Sequence, residues 1–163
     1  MPDTIQTSVS LPSGELSMVI EQTQWPLEDL CGFASRRNIK RGFLFVSKVL
    51  GKHYPVRPSR MRTVHRYLAG QLRGLPTPVV VIGMAETAVA LGQGVYEGGE
   101  PGGWHDRLFL HTTRYPSSRP PALTFQESHS HATDHLLYLP DDAEARTIFS
   151  RARSLVVVDD ELS

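Results

Sequence analysis

The sequence predicts an α/β fold built on a largely parallel sheet. Two continuous apolar runs, at residues 79–82 and 155–158, have the length and composition of strands that are covered on both faces. Between them an alanine-rich stretch, a second strand-like segment and an acidic helix start follow one another. Such alternation is typical of parallel sheets with helical crossovers. The length of 163 residues fits one structural domain.

The N-terminal residues predict a β-hairpin followed by a short helix. Apolar and polar residues alternate at positions 5–11 and 16–20, on either side of a Pro-Ser-Gly-Glu turn. Pro26 suits a first helical turn, and two acidic residues follow it near the positive end of the helix dipole. We therefore expect a helix that extends from there to Arg36.

Two more helices are expected before residue 75. Residues 43–50 have apolar positions at helical spacing, although their aromatic and β-branched content favours a strand, and of the two we favour a helix. After Ser59, a suitable cap, apolar residues recur on one helical face until Gly74. This second pattern predicts a helix without a competing interpretation.

Residues 76–163 predict the core of the fold. A strand is expected at 78–83. Residues 84–91 are expected to form a turn that enters an alanine-rich helix, which ends at the glycines at 92 and 94. A second strand is expected at 107–115. A long loop is expected at 116–135, which contains three prolines and three histidines. A strand at 136–139, a helix that begins at 141–144 and a last strand at 154–160 complete the prediction.

The composition excludes several classes of protein. With 40% hydrophobic and 21% charged residues, the chain is neither a collagen, a coiled coil nor a low-complexity tail. Its apolar runs are far shorter than the roughly 18 residues that cross a bilayer, so we expect no membrane partner. Because the N-terminal residues do not resemble an export signal, we expect a cytoplasmic protein. The single cysteine, Cys31, is expected to be a small buried hydrophobe.

The net charge of zero hides a segregation of charge along the sequence. Residues 1–75 carry 11 Lys and Arg against 5 Asp and Glu, whereas residues 76–163 carry 6 against 12. The basic block could form an anion-binding face or could be an ordinary solvated surface, and the sequence leaves both interpretations open. We do not expect nucleic acid as a partner.

Acidic residues directly follow the last apolar run. Asp159, Asp160, Glu161, Leu162 and Ser163 come after residues 155–158, and carboxylates at the end of a buried parallel strand can accept hydrogen bonds from sugar hydroxyls. This segment resembles the phosphoribosyl pyrophosphate signature of type I phosphoribosyltransferases, although Glu161 stands where an apolar residue is usual. The chain stops inside that signature. We therefore expect a fragment, a trimmed form, or a protein that binds the donor weakly, with the C-terminal part of the core absent.

The order of the other elements agrees with that resemblance. Gly83, Met84, Ala85, Glu86 and Thr87 look like the family's pyrophosphate loop, in which backbone N–H groups at a helix N-terminus meet an anion. We expect a strained or cis peptide there. Arg114, at the end of the second strand, resembles the basic residue that contacts pyrophosphate.

A narrower resemblance covers most of residues 15–163. The block NIKRGFLFVSKVLGKHYPVRPS at 38–59, HTTRY at 111–115 and FQESHSH at 125–131 resemble phosphoribosyltransferase-like proteins of bacterial tellurite-resistance and stress-response gene clusters. The resemblance implies a type I phosphoribosyltransferase-like, Rossmann-like fold. Residues 1–75 would supply a hairpin and a hood with a helix, and residues 76–163 the first part of the core.

The implied function is transfer of phosphoribose from phosphoribosyl pyrophosphate to an unknown small-molecule acceptor, with release of pyrophosphate. Asp159, Asp160, Glu161 and Ser163 would hold the phosphoribosyl group, and Mg²⁺ would bind through the substrate. The histidines of the long loop would exclude water or donate to the leaving group: His129, His131 and His135. The hood over the acceptor would include Lys48, Lys52, His53 and Arg57. A homodimer is left open.

Two alternatives belong to other functional classes. The same fold could act as a non-catalytic sensor or regulator that keeps the ligand pocket. His129, His131, Asp134 and His135 also resemble the His-x-His-x-Asp-His motif of zinc-dependent hydrolases, since imidazole and carboxylate are zinc ligands. One extra residue spoils the spacing of that motif, which favours the transferase interpretation.

Overall fold

The computed structural model describes residues 4–21, 23–37, 42–99, 106–126 and 134–160. Its internal contacts divide the chain into an N-terminal unit, residues 1–61, and a C-terminal unit, residues 62–163. The division falls inside helix α2 (Pro58–Gln71). This helix confirms the one predicted after Ser59.

The N-terminal unit begins with the predicted hairpin. Strands β1 (Ile5–Leu11) and β2 (Gly14–Ile20) pair antiparallel, with Leu11 opposite Gly14 at the turn. Gly14 has φ 131°, a conformation that residues with a side chain rarely adopt. The hairpin prediction is confirmed, and glycine at this position explains where the second strand starts.

Of the two other helices predicted for this unit, the first begins after Pro26 as expected but ends after one turn, and the second is wrong. Helix α1 (Leu27–Leu30) makes a single turn, and the chain continues as β3 (Cys31–Ser35), which pairs antiparallel with β4 (Phe43–Ser47). Phe33 and Phe45 meet edge to face across the pair, with ring centroids 5.3 Å apart. Aromatic cross-strand contacts stabilise sheets, so pairing with a partner strand overrides the helical spacing of both segments.

Cys31 meets the expectation of a buried hydrophobe only in part. It is half-buried, and burial raises the pKa of its thiol, while nearby Lys48 acts in the opposite direction. Its Sγ lies 3.7 Å from the carbonyl oxygen of Leu27. A thiol with a raised pKa is a poor nucleophile at neutral pH, which is consistent with a packing role.

A five-stranded mixed sheet forms the C-terminal unit, in the order β7-β8-β6-β5-β9. Its strands are, in chain order, β5 (Val79–Gly83), β6 (Arg107–Thr113), β7 (Leu123–Gln126), β8 (Asp134–Leu137) and β9 (Ser154–Val158). Strand β5 is parallel to both neighbours, which confirms the predicted α/β class.

The antiparallel part of this sheet corrects the prediction for residues 116–135. Strands β7 and β8 pair with each other, and β8 pairs antiparallel with β6, so part of the expected long loop is strand. Residues 127–133, which include His129 and His131, lie outside the described residues. The sheet is therefore mixed rather than purely parallel.

Helices cover the two faces of the sheet. Val79 and Val81 pack with Tyr96 of α3 (Ala88–Gly98) on one face. Val80 and Ile82 belong to a cluster on the other face, against which Phe149 of α4 (Ala143–Ser150) packs. Because both faces are covered, all of β5 is buried, as its continuous apolar run predicts.

The glycines at 92 and 94 do not end helix α3, which continues to Gly98. A Cβ at Gly92 would lie 2.8 Å from the Cα of Gly83. A Cβ at Gly94 would lie 2.0 Å from Nδ1 of His65 in α2. These glycines allow the helix to approach its neighbours closely, which is why the expectation of a helix end was wrong.

Candidate functional site

Three parallel strands end side by side at one edge of the C-terminal sheet. Gly83, the last residue of β5, lies opposite His111 of β6 and Val158 of β9. The chain reaches β6 on one side of β5 and later returns to β9 on the other side, with α3 and α4 on opposite faces. In open α/β sheets such a reversal opens a crevice beyond the carboxyl ends of the strands, where ligands bind.

The loop after β5, residues 84–87, lies at the centre of this edge. The N–H of Met84 donates to the carbonyl oxygen of Val158 over 2.9 Å, and that of Ala88 donates to the carbonyl oxygen of Met84 over 3.1 Å. The peptide bond between Ala85 and Glu86 is cis, as the sequence analysis expects. The two hydrogen bonds hold the loop between the end of β9 and the start of α3.

Two backbone donors of this loop have no hydrogen-bond partner among the described residues. They are the N–H groups of Glu86 and Thr87, which stand immediately before α3. Donors at the N-terminus of a helix attract anions, because the helix dipole adds to their partial positive charge. The loop therefore offers the kind of donors that the sequence analysis assigns to it.

Arg114 lies against the same loop. Its Nη2 donates to the carbonyl oxygen of Ala85 over 3.1 Å, and its side chain is half-buried. The structure thus brings the predicted basic residue to the predicted anion loop, 29 positions away in sequence. Its contact with a ligand stays a prediction.

Asp159 and Asp160 follow β9 at this edge and are half-buried. The N–H of Asp160 donates to Oδ1 of Asp159 over 2.8 Å. Because β9 is parallel to β5 and in register with it, Asp159 follows β9 at the level where Met84 follows β5. Strand β9 lies at the edge of the described sheet, and its Leu155 and Val157 are exposed, so the expectation that this apolar run is covered on both faces is wrong. Glu161 and Ser163 lie outside the described residues.

Thr112 and His135 form a buried contact that the sequence analysis missed. Oγ1 of Thr112 accepts a hydrogen bond from the N–H of Ala85 over 2.8 Å and lies 3.0 Å from Nδ1 of His135. Their exposed fractions are 1% and 0%. The signal was present in the sequence, since Thr112 continues the alternation of Leu108 and Leu110 and therefore had to be a polar residue facing the core.

His135 lies in the sheet rather than in an open loop. Its ring stacks on Phe125 with a centroid distance of 5.1 Å and an interplanar angle of 1°. Its neighbour Asp134 is exposed and accepts a hydrogen bond from Gln126 over 2.8 Å. Successive residues of a strand point to opposite faces, so Asp134 and His135 do not converge on one zinc ion.

The residues assigned to the hood lie in the N-terminal unit. Nζ of Lys48 donates to the carbonyl oxygen of Glu28 over 2.8 Å. Lys52, His53 and Arg57 are exposed. Residues 38–41 at the start of the hood block lie outside the described residues, and the role of the block stays a prediction.

No helix within the described ranges is both long and apolar enough to cross a membrane.

A family model described as "Phosphoribosyl transferase" matches residues 30–163, which include both the loop 84–87 and the two acids after β9. No curated protein and no solved structure matches the chain.

Proposed function

This chain belongs to the phosphoribosyl transferase family, and from that premise we propose that it binds phosphoribosyl pyrophosphate at the carboxyl edge of its sheet. It transfers the phosphoribosyl group to a small-molecule acceptor and releases pyrophosphate. The observation that carries the proposal is the convergence of three strand ends, which brings loop 84–87, Arg114 and the acids at 159 and 160 to one edge.

In this proposal, loop 84–87 and Arg114 hold the pyrophosphate. The N–H groups of Glu86 and Thr87 donate to its oxygens, and the guanidinium of Arg114 supplies a full positive charge beside them. As the bond to the sugar breaks, negative charge grows on the leaving pyrophosphate. Donors that already face this position stabilise that charge without reorganising.

Asp159 and Asp160 hold the ribose. Carboxylates accept hydrogen bonds from hydroxyl groups and repel phosphates, so they suit the sugar and not the diphosphate. Since Gly83 lies opposite Val158, the two acids follow β9 at the level where loop 84–87 follows β5, so the ribose and the pyrophosphate would lie side by side along the edge.

The acids also fit a magnesium ion that is shared with the substrate. Mg²⁺ prefers oxygen ligands and is commonly bound by one or two carboxylates together with phosphate oxygens. In the part of the chain that the structure describes, no group of three or more His, Cys, Asp or Glu side chains could hold a metal ion. A bound Mg²⁺ would be held mainly through the substrate's oxygens, with Asp159 and Asp160 nearby, and it would neutralise negative charge on the diphosphate.

The proposed reaction is a displacement at the anomeric carbon of ribose. The bond from that carbon to the pyrophosphate oxygen breaks, and its electron pair leaves with pyrophosphate. A bond from the acceptor's nucleophilic atom to the same carbon forms, and the acceptor's proton passes to solvent. The transition state resembles the oxocarbenium ion of glycoside cleavage, so placed charges matter more than a nucleophilic side chain.

The remaining site residues complete the proposal. His129 and His131 exclude water or donate to the leaving group, Glu161 and Ser163 extend the phosphoribosyl site, and Lys48, Lys52, His53 and Arg57 contact the acceptor. His135 has no exposed surface, so its part is indirect. The cytoplasmic location, the association with tellurite-resistance gene clusters and a homodimer remain predictions.

Calorimetric titration of the chain with phosphoribosyl pyrophosphate and Mg²⁺ tests the proposal. We expect Asp160→Asn to weaken binding about tenfold or more, because a charged hydrogen-bond acceptor for the ribose is lost. The matched control is Asp106→Asn. Asp106 is exposed, and it precedes β6 at the opposite edge of the sheet. Its φ of 55° is one that asparagine accepts.

The outcomes separate the two classes of function. Binding that falls in Asp160→Asn but not in Asp106→Asn supports the site, and pyrophosphate release in the presence of candidate acceptors supports transfer. Binding without release from any acceptor favours the sensor or regulator. Equal loss in both variants, or no binding by the unmodified chain, contradicts the proposed site.

A further inference from the structure

A buried chain of polar groups runs from loop 84–87 into the antiparallel part of the sheet. The N–H of Ala85 donates to Oγ1 of Thr112, and that oxygen lies within hydrogen-bond distance of Nδ1 of His135. We propose that Thr112 and His135 are positioning residues that hold the anion loop in its binding conformation. The inference rests on the proposed function, since it explains how the same site is kept in shape.

The hydroxyl of Thr112 can serve both contacts at once. A threonine hydroxyl has one hydrogen to donate and can accept two bonds. Oγ1 accepts from the N–H of Ala85 and also shares a hydrogen bond with Nδ1 of His135, whose direction depends on the tautomer of the imidazole. Removal of the hydroxyl would leave the buried N–H of Ala85 unsatisfied, which is costly.

Strands β7 and β8 fix the position of the imidazole. Phe125 lies opposite His135 in the β7–β8 register, and the two rings are stacked almost parallel. Thr112 lies opposite Leu137, so the hydroxyl and the ring project from the same face of neighbouring strands. The antiparallel strands thereby act on the loop through a rigid, buried contact.

Both polar groups of Ala85 are held inside the protein. Its N–H is bound by Thr112 and its carbonyl oxygen by Arg114. The N–H of Ala85 therefore does not serve the anion, whereas those of Glu86 and Thr87 are left for it. A loop that is held before the ligand arrives loses less conformational freedom on binding, so its affinity is higher.

The test compares three threonine variants by calorimetry with inorganic pyrophosphate and Mg²⁺. Thr112→Val keeps the branched shape and loses the hydroxyl, and we expect it to bind about tenfold more weakly. Thr112→Ser restores the hydroxyl and should bind within about twofold of the unmodified chain. Thr124→Val is the control, because Thr124 is exposed in β7, and it should not change binding.

Histidine variants repeat the test if Thr112→Val does not fold. His135→Asn keeps a polar atom near the position of Nδ1 and should retain most of the affinity. His135→Leu removes it and should weaken binding as Thr112→Val does. Unchanged pyrophosphate affinity in a folded Thr112→Val or His135→Leu variant overturns the inference.

Amide hydrogen exchange distinguishes failure of this inference from failure of the proposed function. If the unmodified chain does not bind pyrophosphate, the proposed function fails. The exchange rate of the Ala85 amide hydrogen then tests separately whether Thr112 and His135 hold the loop. Slow exchange in the unmodified chain and in Thr112→Ser, with exchange at least tenfold faster in a folded Thr112→Val, supports them. Equal exchange rates in all three chains contradict them.

Discussion

At the scale of single residues, the candidate site depends on contacts between positions that are far apart in sequence. Arg114 and Ala85 meet because β5 and β6 are parallel neighbours in register. The sequence already indicated each of these residues by its resemblance to the family. The alternation with Leu108 and Leu110 also placed Thr112 on the core side of its strand, but its contact with His135 depends on β8, which pairs with β6 only in the folded chain.

Arg114→Gln should weaken the binding of pyrophosphate by about ten- to a hundredfold, because a charge-assisted hydrogen bond is lost from a half-buried position. Calorimetric titration with pyrophosphate and Mg²⁺ measures the effect. The matched control is Arg119→Gln. Arg119 is exposed and pairs with Asp141 at the surface, so its loss should leave binding unchanged. Equal binding by both variants would remove Arg114 from the proposed site.

At the scale of elements, the close approach of α3 to β5 is a condition for the loop between them. Gly92 lies so near Gly83 that any side chain would meet backbone. The helix can therefore start directly after residue 87, with its first N–H groups at the sheet edge. The local propensities of Gly92 and Gly94 favour a helix end, but the close packing of α3 against its neighbours lets the helix continue through them.

Gly92→Ala should destabilise the protein by about 1–3 kcal/mol, because the added methyl group would lie 2.8 Å from the Cα of Gly83 and must displace backbone. Urea denaturation measures the change in the free energy of unfolding. Gly70→Ala in α2 is the matched control. A Cβ there meets nothing within 4 Å, and the substitution should be neutral or stabilise by up to about 1 kcal/mol. A Gly92→Ala protein as stable as the Gly70→Ala protein would contradict the close packing.

At the scale of the whole molecule, a buried histidine makes the stability of the fold depend on pH. His65 in α2 packs against Gly94 and Gly98 of α3, and its Nε2 has no hydrogen-bond partner among the described residues. Burial lowers the pKa of this imidazole below its usual value of 6.5, and nearby Glu97 acts in the opposite direction. The folded state therefore favours the neutral ring.

The free energy of unfolding should fall as the pH is lowered through 6.5, because the unfolded chain then binds a proton that folded His65 resists. The contribution of this group to stability is complete above that pH and is lost progressively below it. Urea denaturation at several pH values between 8 and 5 measures the trend. His65→Gln should flatten this part of the profile, whereas His53→Gln, at an exposed position, should not. An unchanged slope in His65→Gln would show that other groups govern the pH dependence.

The sequence by itself determined the elements whose signal is local. The alternation at residues 5–11 and 14–20 produces the hairpin, the one-sided apolar pattern after Ser59 produces α2, and the continuous apolar run at 79–83 produces a strand buried on both faces. Side-chain periodicity, turn residues and caps act within a few positions of the chain, so they can be interpreted without a fold.

Only the tertiary structure decided the elements that depend on a distant partner. Residues 31–35 and 43–47 become strands because each supplies the other's hydrogen bonds. Strand β8 extends the sheet because it pairs with the edge of β6, and β7 in turn pairs with β8. The same pairing buries His135, which the sequence analysis placed in an open loop, and directs it to Thr112. Backbone hydrogen bonds between strands join residues that are distant in sequence, so no local pattern can specify them.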